Sequence, residues 1–312
     1  MTVPAIDSEI QATLDSTDEP FLHDPNSIFA TSELFEAMRA VPDVPRDDQV
    51  EVRDHHTEGG LRLRVYTPTH AGVKALIVFL HSGGFVFGRP ETEESRALRY
   101  ATDVNAVVVS VDYRHAPEHP YPAAVDDAYA GLLWAVEHAA ELGADPVRLA
   151  LAGSSAGGTL AAATTLRARD MGGPALRFQL LIYPGLDDRL TTASAREFTD
   201  VPVLTRFALE RVWEYYGPDG SDDGYAAPAR AADLAGLPPS LVMVAEVDPL
   251  RDDGIDFAGR LSAAGVTTEL VQIPGAVHGF DLMFAHTTVG ERGLATQVRA
   301  LREALSPETS PI

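Results

Sequence analysis

The sequence predicts an α/β protein whose mostly parallel central sheet carries helices on both faces. Three observations carry that prediction. Continuous apolar runs at Ala75–Leu80 and Ala106–Val111, the second broken only by Ser110, suit strands buried on both sides. Strand-like runs then alternate with segments of helical period, as in a sheet wound through crossover helices. Finally, the stretch from Arg148 to Gly158 reads as strand, tight turn and helix start, with Gly153-Ser154-Ser155-Ala156-Gly157 at the turn.

Taken in order, residues 1–46 form an appendage of Asp- and Pro-containing loops. They hold one amphipathic helix, Ser32 to Arg39, with Leu34, Phe35 and Met38 at helical spacing. Between 47 and 68, Val50 and Val52 and then Leu61, Leu63 and Val65 alternate around Gly59-Gly60, which predicts an antiparallel hairpin with one wet face. Helices are expected at Glu94–Thr102 and Ala123–Glu141, between and after the two apolar strands. The strand ending at the Ser155 turn is followed by a helix to Asp170, closed by Gly172-Gly173-Pro174. A strand at Phe178–Tyr183 comes next. The segment 187–225, polar and then helical around Thr205–Tyr216, interrupts the alternation and reads as an insertion. The alternation resumes with a strand at Leu241–Val247, a helix at Gly254–Ala264, a strand at Thr268–Ile273 and a last helix near Glu291–Leu305. The expected organisation is therefore two cap segments (1–46 and 187–225) and a core in two parts (47–186 and 226–312).

Composition narrows the function. The 312 residues are 45% hydrophobic, enough for a large core, and the formal net charge is −22. A chain this acidic repels nucleic acid and anionic membrane, so neither is an expected partner. Lys74 is the only lysine. There is no cysteine, which excludes disulfides and thiolate metal sites. Met1–Gln11 carries acids and no apolar core, unlike a secretory signal, and no apolar run approaches the length of a membrane span. The expectation is a cytoplasmic protein with no cofactor and no metal.

Four stretches gather at predicted strand ends, where an open α/β sheet places its ligands. Taken alone, the Ser155 turn also fits a Gly/Ser-rich helix cap; as a strand-to-helix elbow it exposes a serine and leaves the amide of Ala156 free to face a developing oxyanion. His81-Ser82-Gly83-Gly84 follows the Ala75–Leu80 strand. It reads either as an ordinary turn or as a loop whose Gly83 and Gly84 amides hold a negative oxygen; the spacing to Gly88 does not fit a dinucleotide fingerprint. Asp248-Pro249-Leu250-Arg251-Asp252-Asp253 offers an acid to orient a histidine, or simply a helix start. Asp248, nearest the strand end, is the better candidate. His278-Gly279-Phe280 completes the chain order Ser, Asp, His. A serine hydroxyl needs a base to take its proton, and the imidazole needs a carboxylate to fix its tautomer.

Together with Asp112-Tyr113-Arg114-His115-Ala116-Pro117-Glu118-His119-Pro120-Tyr121-Pro122-Ala123-Ala124, these motifs resemble the bacterial hormone-sensitive-lipase-like carboxylesterases, which are α/β-hydrolases. The resemblance implies the α/β-hydrolase fold with a helical cap built from 1–46 and 187–225. It implies Ser155 as nucleophile, His278 as general base and acid, Asp248 as orienting carboxylate, and Gly83, Gly84 and Ala156 as oxyanion donors. The Tyr-Arg-x-Ala-Pro-Glu stretch, Tyr113–Glu118, is implied as support for the oxyanion loop, without a catalytic role for Arg114 or Glu118. A small-molecule ester of short or medium acyl chain is the implied substrate, and the family often dimerises.

Two residues depart from the family pattern. Ser82 replaces the first glycine of His-Gly-Gly-Gly, at a cost of about 1 kcal/mol if that backbone needs positive φ. Ser154 stands before the nucleophile where the family often has Asp. The competing readings are a non-hydrolytic small-molecule receptor on the same fold, against which His278 speaks, and an amidase or dehydratase using the same constellation. The aromatic residues Phe21, Phe29, Phe35, Phe207, Trp213, Tyr215 and Tyr216 wall a pocket or, for most of them, pack the cap's own core.

Overall fold

The computed structural model describes residues 4–17, 22, 26, 48–218 and 223–307. The predicted helix at 32–39, and with it Phe21, Phe29 and Phe35, lies outside the described residues. Among the described residues, eight strands form one sheet in the order β1-β2-β4-β3-β5-β6-β7-β8. The hairpin β1 (Val50–His56) and β2 (Arg62–Pro68) pairs antiparallel, and β2 pairs antiparallel with β4 (Ala106–Val111). The remaining pairs, from β4 and β3 (Lys74–Leu80) through β5 (Ala144–Ser154), β6 (Phe178–Ile182), β7 (Ser240–Val247) and β8 (Thr268–Val277), are parallel. The fold is that of an α/β-hydrolase, as expected.

Alternation along each strand divides the interior in two. Leu76, Val78 and Leu80 of β3 and Val107, Val109 and Val111 of β4 face one layer, with α3 (Ala123–Glu137), α4 (Ala156–Asp170) and α7 (Arg251–Ala263). Ile77, Phe79 and Val108 face the other, with α1 (Ser8–Ser16), α2 (Glu94–Val104), the one-turn α8 (Phe280–Met283) and α9 (Thr288–Leu305). This two-sided burial is why β3 and β4 carry no polar face. Helix ends follow local chemistry. Thr287 caps α9 by accepting from Gly290 N, and Asn105 closes α2 in the left-handed region.

Helix α1 was not anticipated from the sequence. Asp7 caps it, Ile10 and Leu14 are buried in the core, and Asp7 N donates to Gly275 O at 2.9 Å. The i, i+4 pair behind an Asp was the available signal. Strand β8 runs on to Val277, past Pro274 and Gly275, where the sequence reading stopped at Ile273; a register irregularity in the β7–β8 pairing absorbs the missing proline donor. Helix α3 ends four residues early, and α7 starts three residues early. Between β6 and β7 no described residue is in a strand; α5 (Ala193–Glu197) and α6 (Arg206–Tyr216) fill the interval. Thr205 caps α6 by accepting from Ala208 N, and Gly217 closes it in the left-handed region.

Candidate active site

The turn from β5 into α4 is built by two glycines. A Cβ on Gly153 would lie 2.1 Å from Gly157 O, and one on Gly157 would lie 2.0 Å from Leu80 O. Only bare backbone lets α4 approach the sheet this closely. Ser155 is left at the apex with φ 53° and ψ −121°, a strained conformation for a residue with a side chain. Its amide is tied to Ile182 O at 2.9 Å.

Two further strand ends complete the arrangement. His278 follows β8, and its Nε2 lies 2.9 Å from Ser155 Oγ. Its Nδ1 lies 2.7 Å from Asp248 Oδ2, at the end of β7. With Nδ1–H donated to the carboxylate, Nε2 is the acceptor for the serine hydroxyl. Asp248 is fully buried, and its other oxygen accepts from Leu250 N at 2.9 Å. The neighbouring acids turn elsewhere: Asp252 accepts from Ser194 N, and Asp253 from Asp187 N and Thr192 Oγ1. The Tyr183 ring lies edge-on to His278, with centroids 4.8 Å apart.

The loop after β3 is equally confined. A Cβ on Gly83, at φ 128°, would lie 2.0 Å from Phe87 O. No described group accepts from the amides of Gly83 or Gly84, and Ala156, as the first residue of α4, has no intrahelical acceptor. Tyr113 Oη donates to His81 O at 2.9 Å, and Ala116 N donates to Phe85 O at 2.9 Å, so the Tyr113–Glu118 stretch does brace this loop. Ser82 is not among the residues with positive φ, so it carries none of the strain its replacement of glycine raised. His81 is buried and stacked on Tyr113, and its burial pushes its pKa below the usual histidine range. It stays neutral beside the site.

Five of the six predicted site residues, Ser155, His278, Gly83, Gly84 and Ala156, therefore line one cavity of about 240 Å³, and Asp248 stands behind His278. Most of the cavity's remaining wall is apolar, with Phe85, Val203, Leu204, Ala208, Leu209, Val212, Trp213, Leu282 and Met283, and Ser82, Thr92, Thr159 and Tyr183 are its polar members. No charged side chain lines it. Of the expected insertion aromatics, Trp213 reaches the cavity. Tyr216 is buried against Phe85 at 4.0 Å between centroids, and Phe207 is half exposed. Sequence reasoning missed a buried set beneath these loops: Glu93, Arg96, Tyr183, Asp281 and Gln297. Arg96 is within hydrogen-bonding distance of Asp281, Gln297 and Tyr183, and its Nε lies 2.7 Å from Glu93 Oε2. No spacing marks these residues; Glu93 reads only as an acid at a helix start.

A serine on a strained strand-to-helix turn, with histidine and carboxylate from adjacent strand ends of a mostly parallel sheet, defines the α/β-hydrolase class. Residues 77–282 match the family model described as the alpha/beta hydrolase fold. Carboxylesterase NlhH of Mycobacterium tuberculosis is 40% identical over 96% of this chain and 97% of its own. Esterase LipI of the same organism is 39% identical over 93% and 94%. The solved structure of a bacterial heroin esterase superposes with a TM-score of 0.86 at 40% identity, over 98% of this chain and all of that one. The chain belongs to the bacterial hormone-sensitive-lipase-like carboxylesterases, and it is a carboxylic ester hydrolase. No helix among the described residues is long and apolar enough to cross a membrane.

Proposed function

We propose that Ser155, His278 and Asp248 are the nucleophile, the general base and acid, and the orienting carboxylate of this ester hydrolase. The amides of Gly83, Gly84 and Ala156 receive the oxyanion. The observation that carries the assignment is the unbroken relay from Ser155 Oγ through His278 to Asp248, at 2.9 Å and 2.7 Å. Ser155 Oγ attacks the ester carbonyl as His278 Nε2 takes its proton. The tetrahedral oxyanion is held by the three amides and collapses as His278 protonates the departing alcohol. Water, deprotonated by His278, then attacks the acyl-enzyme. A second tetrahedral intermediate releases the acid and returns the proton to Ser155.

The substrate we infer is a neutral ester of short or medium acyl chain. The cavity is small against the roughly 300–1,000 Å³ of sites for drug-sized ligands, and its wall offers no charge to an ionic group. Residues 203–213 form one side of it, which supports reading 187–225 as a cap; the assignment of 1–46 as the second cap segment belongs to the same proposal. A homodimer is part of the same reading. It is supported by the edge position of β8 among the described strands, where Leu270 is exposed. A cytoplasmic location goes with it, supported by the acidic composition and the missing membrane helix among the described residues.

The deciding experiment is hydrolysis of p-nitrophenyl esters from acetate to palmitate, beside Ser155→Ala and a matched amide. Turnover concentrated on the short esters and absent in the variant is the expected result. Full activity in purified Ser155→Ala overturns the assignment, and a rate rising steadily to palmitate overturns the chain-length reading.

A further inference from the structure

We propose that Glu93 is a positioning residue for ester hydrolysis, which supplies from the oxyanion-loop side the carboxylate that Ser154 leaves out of the nucleophile turn. The proposal rests on the roles given above to Ser155, Gly83 and Gly84.

Glu93 closes the 3-10 turn Pro90–Glu93 and is fully buried. Its Oε1 accepts from Ser82 N at 2.6 Å and from Ser154 Oγ at 2.5 Å. Ser82 immediately precedes Gly83, and Ser154 immediately precedes Ser155. One oxygen therefore joins the two backbone segments whose amides must converge on the same developing charge. Its Oε2 faces Arg96 Nε at 2.7 Å, and the guanidinium continues to both oxygens of Asp281, three residues beyond His278. Tyr183 Oη donates to Asp281 Oδ1 at 2.7 Å while its ring abuts His278. Glu93 thus begins a buried chain that touches the oxyanion loop, the nucleophile turn and the histidine loop.

The same geometry accounts for Ser154. A buried carboxylate needs donors, and the Ser154 hydroxyl is one. An aspartate at 154 would set a second carboxylate against Glu93, and two so close cannot both stay ionised. Positions 93 and 154 are coupled: the site takes one carboxylate, and in this chain it comes from residue 93.

Four enzymes test this: wild type, Glu93→Gln, Ser154→Asp and the double variant. For each, kcat and KM are measured on p-nitrophenyl acetate, with active sites counted by fluorophosphonate titration. The Ki of a trifluoromethyl ketone, which forms the tetrahedral adduct, is measured alongside. Glu93→Gln is expected to lower kcat about 10- to 100-fold and raise Ki by the same factor, with KM within about twofold, because the loops are misaligned only toward the transition state. A merely structural loss reduces the number of active sites and leaves Ki unchanged. Ser154→Asp is expected to lower kcat about 100-fold, and adding Glu93→Gln to it to restore at least about 10-fold. Wild-type kcat and Ki in Glu93→Gln, or a double variant no faster than Ser154→Asp, overturns the proposal. Should Glu93→Gln alone fail to fold, the double variant decides: recovery of fold and turnover supports the coupling, and failure of both rejects it. Ser155→Ala runs as the control. If it stays active, the nucleophile assignment falls; if it is dead while Glu93→Gln behaves as wild type, only the role of Glu93 falls.

Discussion

His278 Nε2 lies 2.9 Å from Ser155 Oγ, although 123 residues separate the two in the chain. The contact exists because β5 and β8 end at the same edge of one sheet and each releases its residue there. Ser155 is raised by a turn that two glycines make possible, and His278 is fixed from behind by Asp248.

Removing the nucleophile is the first consequence to measure. Ser155→Ala is expected to lower kcat on p-nitrophenyl acetate by about 10⁴- to 10⁶-fold. The variant also relieves no packing, so its urea midpoint should stay close to wild type.

The carboxylate matters through the tautomer. Asp248→Asn keeps the shape but favours an imidazole protonated on the wrong nitrogen, and a loss of about 10⁴ in kcat is expected. A loss under tenfold, at pH 7 to 8, would mean that Asp248 is not what orients His278. The same change at Asp252, which bonds Ser194 instead, should leave kcat within a few-fold.

Backbone contact makes Gly157 a stability determinant. Its Cβ in Gly157→Ala would fall 2.0 Å from Leu80 O, against immovable sheet backbone. Chemical denaturation should show a loss of about 3 kcal/mol or more, and expression can fail outright.

Asp253 gives stability a pH dependence. Burial and the neighbouring Asp187 carboxylate push its carboxyl up to about 7. The folded state therefore holds this proton to higher pH than the unfolded chain does. The contribution favours folding at low pH and is lost as pH rises from about 4 to about 7, by up to about 4 kcal/mol. Asp253→Asn should exceed wild type in urea stability at pH 8 by roughly 1–3 kcal/mol, with the gap closing at pH 5. Equal gaps at the two pH values would show that Asp253 does not titrate in this range.

Leu209 of α6 tests the chain-length reading. Leu209→Ala opens the cavity wall, and the ratio of kcat/KM for the octanoate over the acetate ester should rise about tenfold. An unchanged ratio would place the acyl chain elsewhere.

Much of this molecule is legible in its sequence. The apolar runs of β3 and β4, the alternation of β1 and β2 around Gly59-Gly60, and the Gly153–Gly157 turn are local patterns. They record burial on two faces, burial on one face, and a close helix approach. Helix α1 was missed because the signal from Ile10 and Leu14 is one short pair, and its stability comes from burying both in the layer that also holds α9. Pro274 hid the end of β8 for a related reason: pairing survives a missing donor only where the register shifts around it.

The sequence by itself determined the succession of the eight strands and the main helices between them, the elbow at Ser155, and the chain order of the three triad residues proposed here, because periodicity and glycine placement are properties of neighbouring residues. That Asp252 turns to Ser194, and Asp253 to Asp187 and Thr192, was decided only by tertiary structure. So were the unstrained backbone of Ser82 and the bond from Ser154 to Glu93. Each depends on where a side chain points after segments far apart in the chain have packed, and in a dense interior an ångström separates a hydrogen bond from a collision.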